Sequence, residues 1–206
     1  MDADRAILAW LSARFPERLP MRASVRGRES ADGFRTDAGA GVEPVHGVSL
    51  ASFSVRDMKA AGMPDALAGK LARFCGLRGA RAAEELRKAP LVLSPSEASA
   101  VLDAWRLHFM RTAAAPAWSR LSGRTGIPWA ELHWKAQAGW TGACMKLGLA
   151  CAQAVPALGV CIRRGDLNGA GAALKAGQLQ WGAGWRAAYE CGWALQQAAA
   201  AGGRAS

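Results

Sequence analysis

The chain changes character near Met21 and again near Phe53. Between these positions glycines recur among Asp, Arg and Ser, and short stretches such as residues 42–48 alternate apolar and polar side chains, which is typical of turns and short strands. Elsewhere Ala and Leu dominate and β-branched residues are few, which favours helix. We therefore expect an α+β fold, mostly α, with a small β-lobe at about residues 22–55 packed on a larger helical lobe at about 56–200.

The length of 206 residues suits a single domain over residues 1–206, which would bury about 70% of the surface of its unfolded chain. Neither a fixed-period repeat nor a linker long enough to separate two domains is visible. Local signals place the helix boundaries. They predict a leading helix over 3–14 capped by Asp2, a helix from Met63-Pro64-Asp65, a short helix over 80–88, a capping box at Ser94 and Glu97, helices opened by Pro128, Pro156 and Asp166, and a last helix over about 184–200.

The formal net charge is +10, so the surface should attract polyanions such as nucleic acid, anionic membrane or acidic cell-wall polymer. No nucleic-acid-binding module is recognisable, and we expect no nucleic-acid partner. The most apolar stretch, residues 142–162, is interrupted by Lys146, Gln153 and Pro156, which argues against a transmembrane segment. The acidic start of the chain lacks the pattern of a signal peptide, so we expect synthesis in the cytoplasm without one.

The cysteines and histidines give little sign of a metal or cofactor. The five cysteines form no Cys-x-x-Cys pair and have small or apolar neighbours, which favours buried free thiols over disulfides or a metal site. His108 and His133 lie in helical patterns without ligand spacing. Eight of the nine tryptophans follow residue 100 at helical spacing, which favours core packing, with stacking on sugar rings as the alternative. We expect neither a metal nor a cofactor.

Glu29 is the carboxylate that stands out in the glycine-rich region, since it follows three arginines at positions 22, 26 and 28. One interpretation is a surface ion pair with those arginines. The other is an acid in a cleft, where glycosidic cleavage needs a protonated carboxyl and a second group that orients water. The candidates for that second carboxylate are Asp32, Asp37, Glu43 and Asp57. Spacing alone does not rank them.

A resemblance to a known family narrows these alternatives. Glu29, then Gly33-Phe34, then Gly47-Val48-Ser49-Leu50-Ala51 resembles the pesticin C-terminal, phage-lysozyme-like family, in which a catalytic Glu precedes a Gly-Tyr segment and a Gly-Val-Thr-Ile strand. The resemblance extends to about residue 105 through residues 57–63, 71–79 and 90–98. Residues 165–170 and 185–190 resemble the Gly-Asp turn and the closing helix of phage-type lysozymes. It implies a lysozyme-like fold.

The resemblance also implies site roles. Glu29 matches the general acid, and Ser49 matches the threonine that helps to hold the attacking water. The aspartate of the family falls on Val55, and Asp57, two residues later, is the candidate substitute. His46 is expected beside the cleft, with an ordinary turn histidine as the alternative, and Phe34 is expected to contact substrate and to desolvate Glu29, a role that Phe53 could share.

These observations lead to three hypotheses for function. The first is a bacteriolytic, antimicrobial muramidase that cleaves the bond between N-acetylmuramic acid and N-acetylglucosamine in peptidoglycan. The second is an inactive lysozyme-like module that binds glycan or forms part of a phage particle or secretion machine, and the third is a basic helical adaptor without lysozyme ancestry. A muramidase would act in the periplasm or cell wall, reached by phage lysis, from a phage virion or as secretion-system cargo.

Overall fold

The computed structural model describes residues 2–16, 22–25, 27–30, 33–177 and 184–204, with the backbone alone for residues 27–30 and 33–36. The mostly helical α+β class predicted from composition is confirmed. The described helices are α1 Ala3–Arg14, α2 Val55–Ala60, α3 Asp65–Ala72, α4 Gly79–Lys88, α5 Pro95–Phe109, α6 Ala115–Ser122, α7 Trp134–Leu147, α8 Cys151–Ala154, α9 Pro156–Arg163, α10 Leu167–Ala176 and α11 Trp185–Ala200. None of the helices in these ranges has the combination of length and hydrophobicity that crossing a bilayer requires.

The chain forms two compact units, which we call the strand unit (Glu17–His108) and the helical unit (Met1–Pro16 with Phe109–Ser206). The boundary falls at the end of α5, where Met110–Ala114 forms a turn of π-helix before α6. The leading helix α1 belongs to the helical unit, where it packs against α7. The strand unit therefore combines the glycine-rich region with helices α2 to α5.

The strands of the strand unit are short and antiparallel. Strand β1 (Ser24–Val25) pairs with β4 (Val42–Glu43), and β2 (Gly27–Ser30) forms a hairpin with β3 (Gly33–Thr36). Helix α4 contacts β1, β3 and β4. Pro44 follows β4 in a bend, where its lack of an N–H removes no ladder bond.

Helix boundaries that depend on local hydrogen bonds lie where the sequence predicts them. Asp2 caps α1 by accepting a hydrogen bond from the N–H of Asp4 at 3.1 Å. Ser94 and Glu97 form the predicted capping box of α5, with backbone-to-side-chain bonds of 2.7 and 3.2 Å. Asp166 caps α10 by accepting from the N–H of Gly169 at 2.7 Å. Each cap satisfies donors that the first turn of a helix would otherwise leave unpaired.

The helix predicted from Pro128 through Trp140 is wrong in its first part. Trp129–Glu131 is a single 3-10 turn, and α7 begins only at Trp134. Between them the backbone is extended, because Leu132 forms a β-bridge with Arg204 and the N–H of His133 donates to the carbonyl of Gly203 at 3.1 Å. The segment at residues 202–204 is thereby held in place.

The core of the helical unit is built on two tryptophans. Trp118 and Trp140 are fully buried and meet edge to face, with ring centroids 5.5 Å apart. Each indole N–H donates to a backbone carbonyl, from Trp118 to Ile127 at 2.8 Å and from Trp140 to Ala114 at 2.9 Å. Burying both rings with their polar atoms paired stabilises the unit without a desolvation penalty.

All five cysteines are free thiols. Cys144, Cys151 and Cys191 are buried in the helical unit, whereas Cys75 and Cys161 are partly exposed. Burial raises the pKa of the Cys191 thiol well above its usual value, which keeps it protonated. The prediction of free thiols is confirmed, although two of them are only partly buried.

We predict that Trp140→Ala lowers the free energy of unfolding by about 3–5 kcal/mol, because it leaves a cavity and removes the hydrogen bond to the carbonyl of Ala114. The matched control Trp185→Ala, at a ring that is 53% exposed, should change it by no more than about 0.5 kcal/mol. Urea unfolding followed by circular dichroism measures both. Similar losses in the two variants would contradict the assignment of Trp140 to the core.

Candidate functional site

The β2–β3 hairpin carries the predicted general acid. Its register pairs Glu29 with Phe34 as Cα partners and Arg28 with Arg35. The hairpin therefore brings the backbones of Glu29 and Phe34 together, as the hypothesis of a desolvated acid requires. Their side chains lie outside the described residues, so the roles predicted for them remain predictions.

Ser49 lies in a tightly held turn. Leu50, next to it, donates its N–H to the carbonyl of Val42 and accepts from the N–H of Gly76, both at 2.9 Å. Gly41 packs so closely that a Cβ there would lie 2.6 Å from the Ser49 Oγ, and a side chain at this position is therefore excluded. The half-buried Ser49 hydroxyl accepts a long bond of 3.4 Å from the N–H of Ala51. Its hydroxyl hydrogen is consequently available to another acceptor.

Arg78 secures the same turn from the start of α4. Its guanidinium donates to the carbonyls of Gly39 and Ala51, both at 3.3 Å, and the N–H of Gly79 donates to Ala40 at 2.7 Å. These bonds link the segment before β4 to the turn that carries Ser49. The sequence analysis did not single out Arg78, because its partners are backbone groups far along the chain.

His46 is exposed at the tip of a tight turn that the N–H of Val48 closes on the carbonyl of Val45 at 3.0 Å. Gly47 adopts a positive φ of 79° in this turn, which favours glycine. Glu43 is buried beneath it and accepts from the N–H of Gly47 at 3.2 Å. The sequence analysis left four candidates for the second carboxylate unranked. Of these, Glu43 has a backbone partner, Asp37 is exposed, and Asp32 lies outside the described residues.

Asp57 lies in the first turn of α2, a short helix that the sequence analysis did not predict. With Ser54 it forms a capping box: its Oδ2 accepts from the Ser54 hydroxyl at 2.6 Å and from the Ser54 N–H at 3.1 Å. In return the Ser54 Oγ accepts from the Asp57 N–H at 3.2 Å. The Ser54 hydroxyl bond is the main cause that lowers the pKa of Asp57, so this carboxylate is ionised at neutral pH.

His108 approaches Asp57 from the end of α5. Its Nδ1 lies 4.0 Å from the Asp57 Oδ1, and its ring lies 5.0 Å from that of buried Phe53, measured between centroids. His108 lowers the pKa of Asp57 further, and burial, followed by the charge of Asp57, raises the pKa of the nearby Cys75 thiol. Sequence reasoning missed this cluster, because no local spacing relates His108 to Asp57.

Val55 occupies the first position of α2, where the sequence resemblance places the family aspartate. Two residues along a helix correspond to a rotation of roughly 200°, so the Cα–Cβ bonds of Val55 and Asp57 leave the axis on nearly opposite sides. The side chain of Asp57 therefore leaves the helix in a different direction from that of an acid at position 55.

Within the described ranges, no three or more His, Cys, Asp or Glu side chains come close enough together to bind a metal ion. Polar groups of the strand unit that could act on a substrate include the Ser49 hydroxyl, the Asp57 carboxylate and the His108 imidazole, together with Glu29 on its hairpin. Such a set can hold and activate water, and it can transfer protons.

Part of the chain matches a known protein family. Residues 30–125 match the model of a family described as "Pesticin: Bacterial toxin homologue of phage lysozyme, C-term". The resemblance predicted from sequence is confirmed over this range, which includes Ser49, Val55 and Asp57 and begins one residue after Glu29. A search among curated proteins found no match.

We predict that Asp57→Asn destabilises the protein by about 0.5–1 kcal/mol at pH 7, because Asn keeps the cap geometry but loses the charge at the start of α2. The pKa of Asp57 is lowered on folding, so its charge stabilises the protein above the unfolded value of 3.8, and that contribution is lost as the pH falls through the folded value. The difference between wild type and variant should therefore vanish in acid. Urea unfolding at a series of pH values measures it, and a difference that persists unchanged below the folded pKa would contradict an ionic role.

Proposed function

We propose, from the match of residues 30–125 to a family of lysozyme-related toxin domains, that this protein is a peptidoglycan muramidase. It cleaves the glycosidic bond between N-acetylmuramic acid and N-acetylglucosamine. The family match is the observation that carries the proposal. The ordered turn that holds Ser49 and the ionised Asp57 support it, since both lie in the matched segment and offer groups that can orient water.

In this mechanism Glu29, protonated, donates its proton to the oxygen that bridges the two sugars. Water then attacks the anomeric carbon from the opposite face, oriented by the Ser49 hydroxyl and by a carboxylate about 6.5–9.5 Å from the acid, which takes the proton that the water loses as its oxygen bonds to that carbon. That proton then returns through solvent to Glu29. Asp57 is our choice for that carboxylate, because its lowered pKa keeps it charged while Glu29 must stay neutral. A lowered pKa makes Asp57 a weak base, so it takes the proton of the water only as the new bond forms, and its charge also stabilises the positive charge that develops on the sugar ring.

A specific observation also favours a second candidate, an inactive lysozyme-like module that binds glycan or forms part of a phage particle or secretion machine. The aspartate position holds Val55, and Asp57 is engaged in a helix cap. Loss of one carboxylate removes the chemistry while leaving the fold, because function resides in a few side chains.

We further propose that the site of action is the periplasm or cell wall. The net charge of +10 would draw the protein to a wall rich in carboxylates, where hydrolysis of the glycan strands lyses the cell. Delivery from a phage virion or as secretion-system cargo fits this proposal.

The first test is the release of soluble muropeptides from purified peptidoglycan, followed by mass spectrometry. We expect wild type to give products with new reducing N-acetylmuramic acid ends, and Glu29→Gln to give none, because an amide cannot protonate the leaving oxygen. The matched control Glu84→Gln replaces an exposed carboxylate of α4 and should keep full activity. Equal product from wild type and Glu29→Gln would exclude Glu29 as the acid, and absence of product from wild type would favour the inactive module.

The second test separates chemistry from capping at Asp57. Asp57→Asn should lower turnover at least about a hundredfold, as removal of a charge that stabilises the transition state does. The control Ser54→Ala breaks the same capping box and leaves the carboxylate in place, so it should cost stability and only a few-fold in turnover. If both variants lose activity in proportion to stability, Asp57 acts only as a cap.

A further inference from the structure

Three aromatic side chains of the helical unit lie at its surface. Trp185, Tyr189 and Trp193 on α11 are 53%, 45% and 45% exposed. They recur every four residues, so they form one line along the helix, with about 6 Å between successive positions. We call these three residues the aromatic stripe. The other side of α11 packs on α7 and α10.

A lysine is fixed upon the stripe. The Nζ of Lys175 lies 5.2 Å from the ring centroid of Tyr189 and 5.5 Å from that of Trp193, and it donates a 2.8 Å bond to the Oε1 of Gln196. This position depends on the close crossing of α10 and α11, where a Cβ on Gly192 would lie 2.8 Å from the Lys175 side chain. The rings and their cation are therefore preorganised, which reduces the entropy lost on binding.

The charges beside the stripe favour an anionic ligand. Arg186 is exposed next to Trp185, and Lys175 lies over the other two rings. The acidic residue that follows Tyr189, Glu190, is paired with Arg14 at 3.0 Å, which neutralises it. The stripe thus presents apolar rings and positive charge together.

We infer that the aromatic stripe binds the glycan strand of peptidoglycan, with its pyranose rings packed on the exposed parts of the three aromatic rings and the carboxylates of its stem peptides on Lys175 and Arg186. The ligand is named on the strength of the proposed function. The C–H faces of a pyranose carry partial positive charge and pack on the negative face of an aromatic ring. From Trp185 to Trp193 the stripe spans about 12 Å, close to one disaccharide repeat of an extended strand.

The width of the stripe favours a linear polymer. The rings stand in single file, flanked by Arg186, the ion-paired Glu190 and Gln196. A helix that lies in a membrane surface presents a broad apolar face instead. At about half exposure three aromatic side chains offer on the order of 300 Å², far below the roughly 800 Å² that each partner contributes to a standard protein interface.

The test measures binding to insoluble purified peptidoglycan by co-sedimentation, with Glu29→Gln as the parent so that the polymer is not consumed. Trp185→Ala, Tyr189→Ala and Trp193→Ala should each weaken binding about threefold, and the triple variant at least about tenfold. Matched controls are Leu149→Ala and Val160→Ala, which remove apolar side chains of similar exposure elsewhere in the helical unit and should bind like the parent. Tyr189→Phe keeps the ring and should also bind like the parent.

Several outcomes would overturn the inference. The first is unchanged binding to peptidoglycan by a triple variant whose thermal midpoint of unfolding matches that of the parent. Ring-dependent binding to vesicles containing phosphatidylglycerol, without ring-dependent binding to peptidoglycan, would assign the stripe to membranes. A dimer of the parent, seen by light scattering and lost in the triple variant, would assign it to a second copy of the chain.

The inference and the proposed function fail in different ways. If wild type releases no muropeptides but binding still depends on the three rings, the muramidase proposal fails and the stripe stands as a wall-binding surface. If wild type is active and the triple variant both binds and hydrolyses like wild type, the stripe fails and the muramidase stands.

Discussion

Two backbone hydrogen bonds of Leu50 hold the strand unit together around its candidate site. The N–H of Leu50 donates to Val42 in β4, and its carbonyl accepts from Gly76 after α3. One buried residue thereby links a strand to the helical part of the unit, and Ser49 sits beside it with Gly41 at contact distance. Because an unpaired buried backbone group is costly, this arrangement tolerates little movement. The Ser49 hydroxyl is therefore held in place as well.

Val55, at the position where the resemblance places the family aspartate, opens α2. Residues 53–57 contain no glycine, and Ser54 is a favourable cap for the helix. The acid at the third helical position then completes a capping box.

Much of this fold can be predicted from the sequence, since local chemistry sets many of its boundaries. Asp2, Ser94 and Asp166 cap helices with their own nearby backbone, so a window of a few residues contains the whole interaction. The break before α7 could not be predicted in this way, because it depends on pairing between Leu132 and Arg204. The sequence analysis also missed the contact of His108 with Asp57 and the hydrogen bonds of Arg78 to the Ser49 turn, because each joins residues that lie far apart in the chain. The resemblance therefore predicts candidate site residues, whereas only the structure gives their contacts.

The two oxygens of Asp57 are not equivalent, and this difference decides what the carboxylate can do. Oδ2 takes both bonds from Ser54, which commits it to the cap. Oδ1 lies 4.0 Å from the Nδ1 of His108, too far for a direct hydrogen bond and far enough to leave its lone pairs open to water. A water held there could contact both an anion and an imidazole. In the muramidase we propose, Oδ1 of Asp57 is the oxygen that would face the attacking water, whereas in an inactive module only Oδ2 has a role.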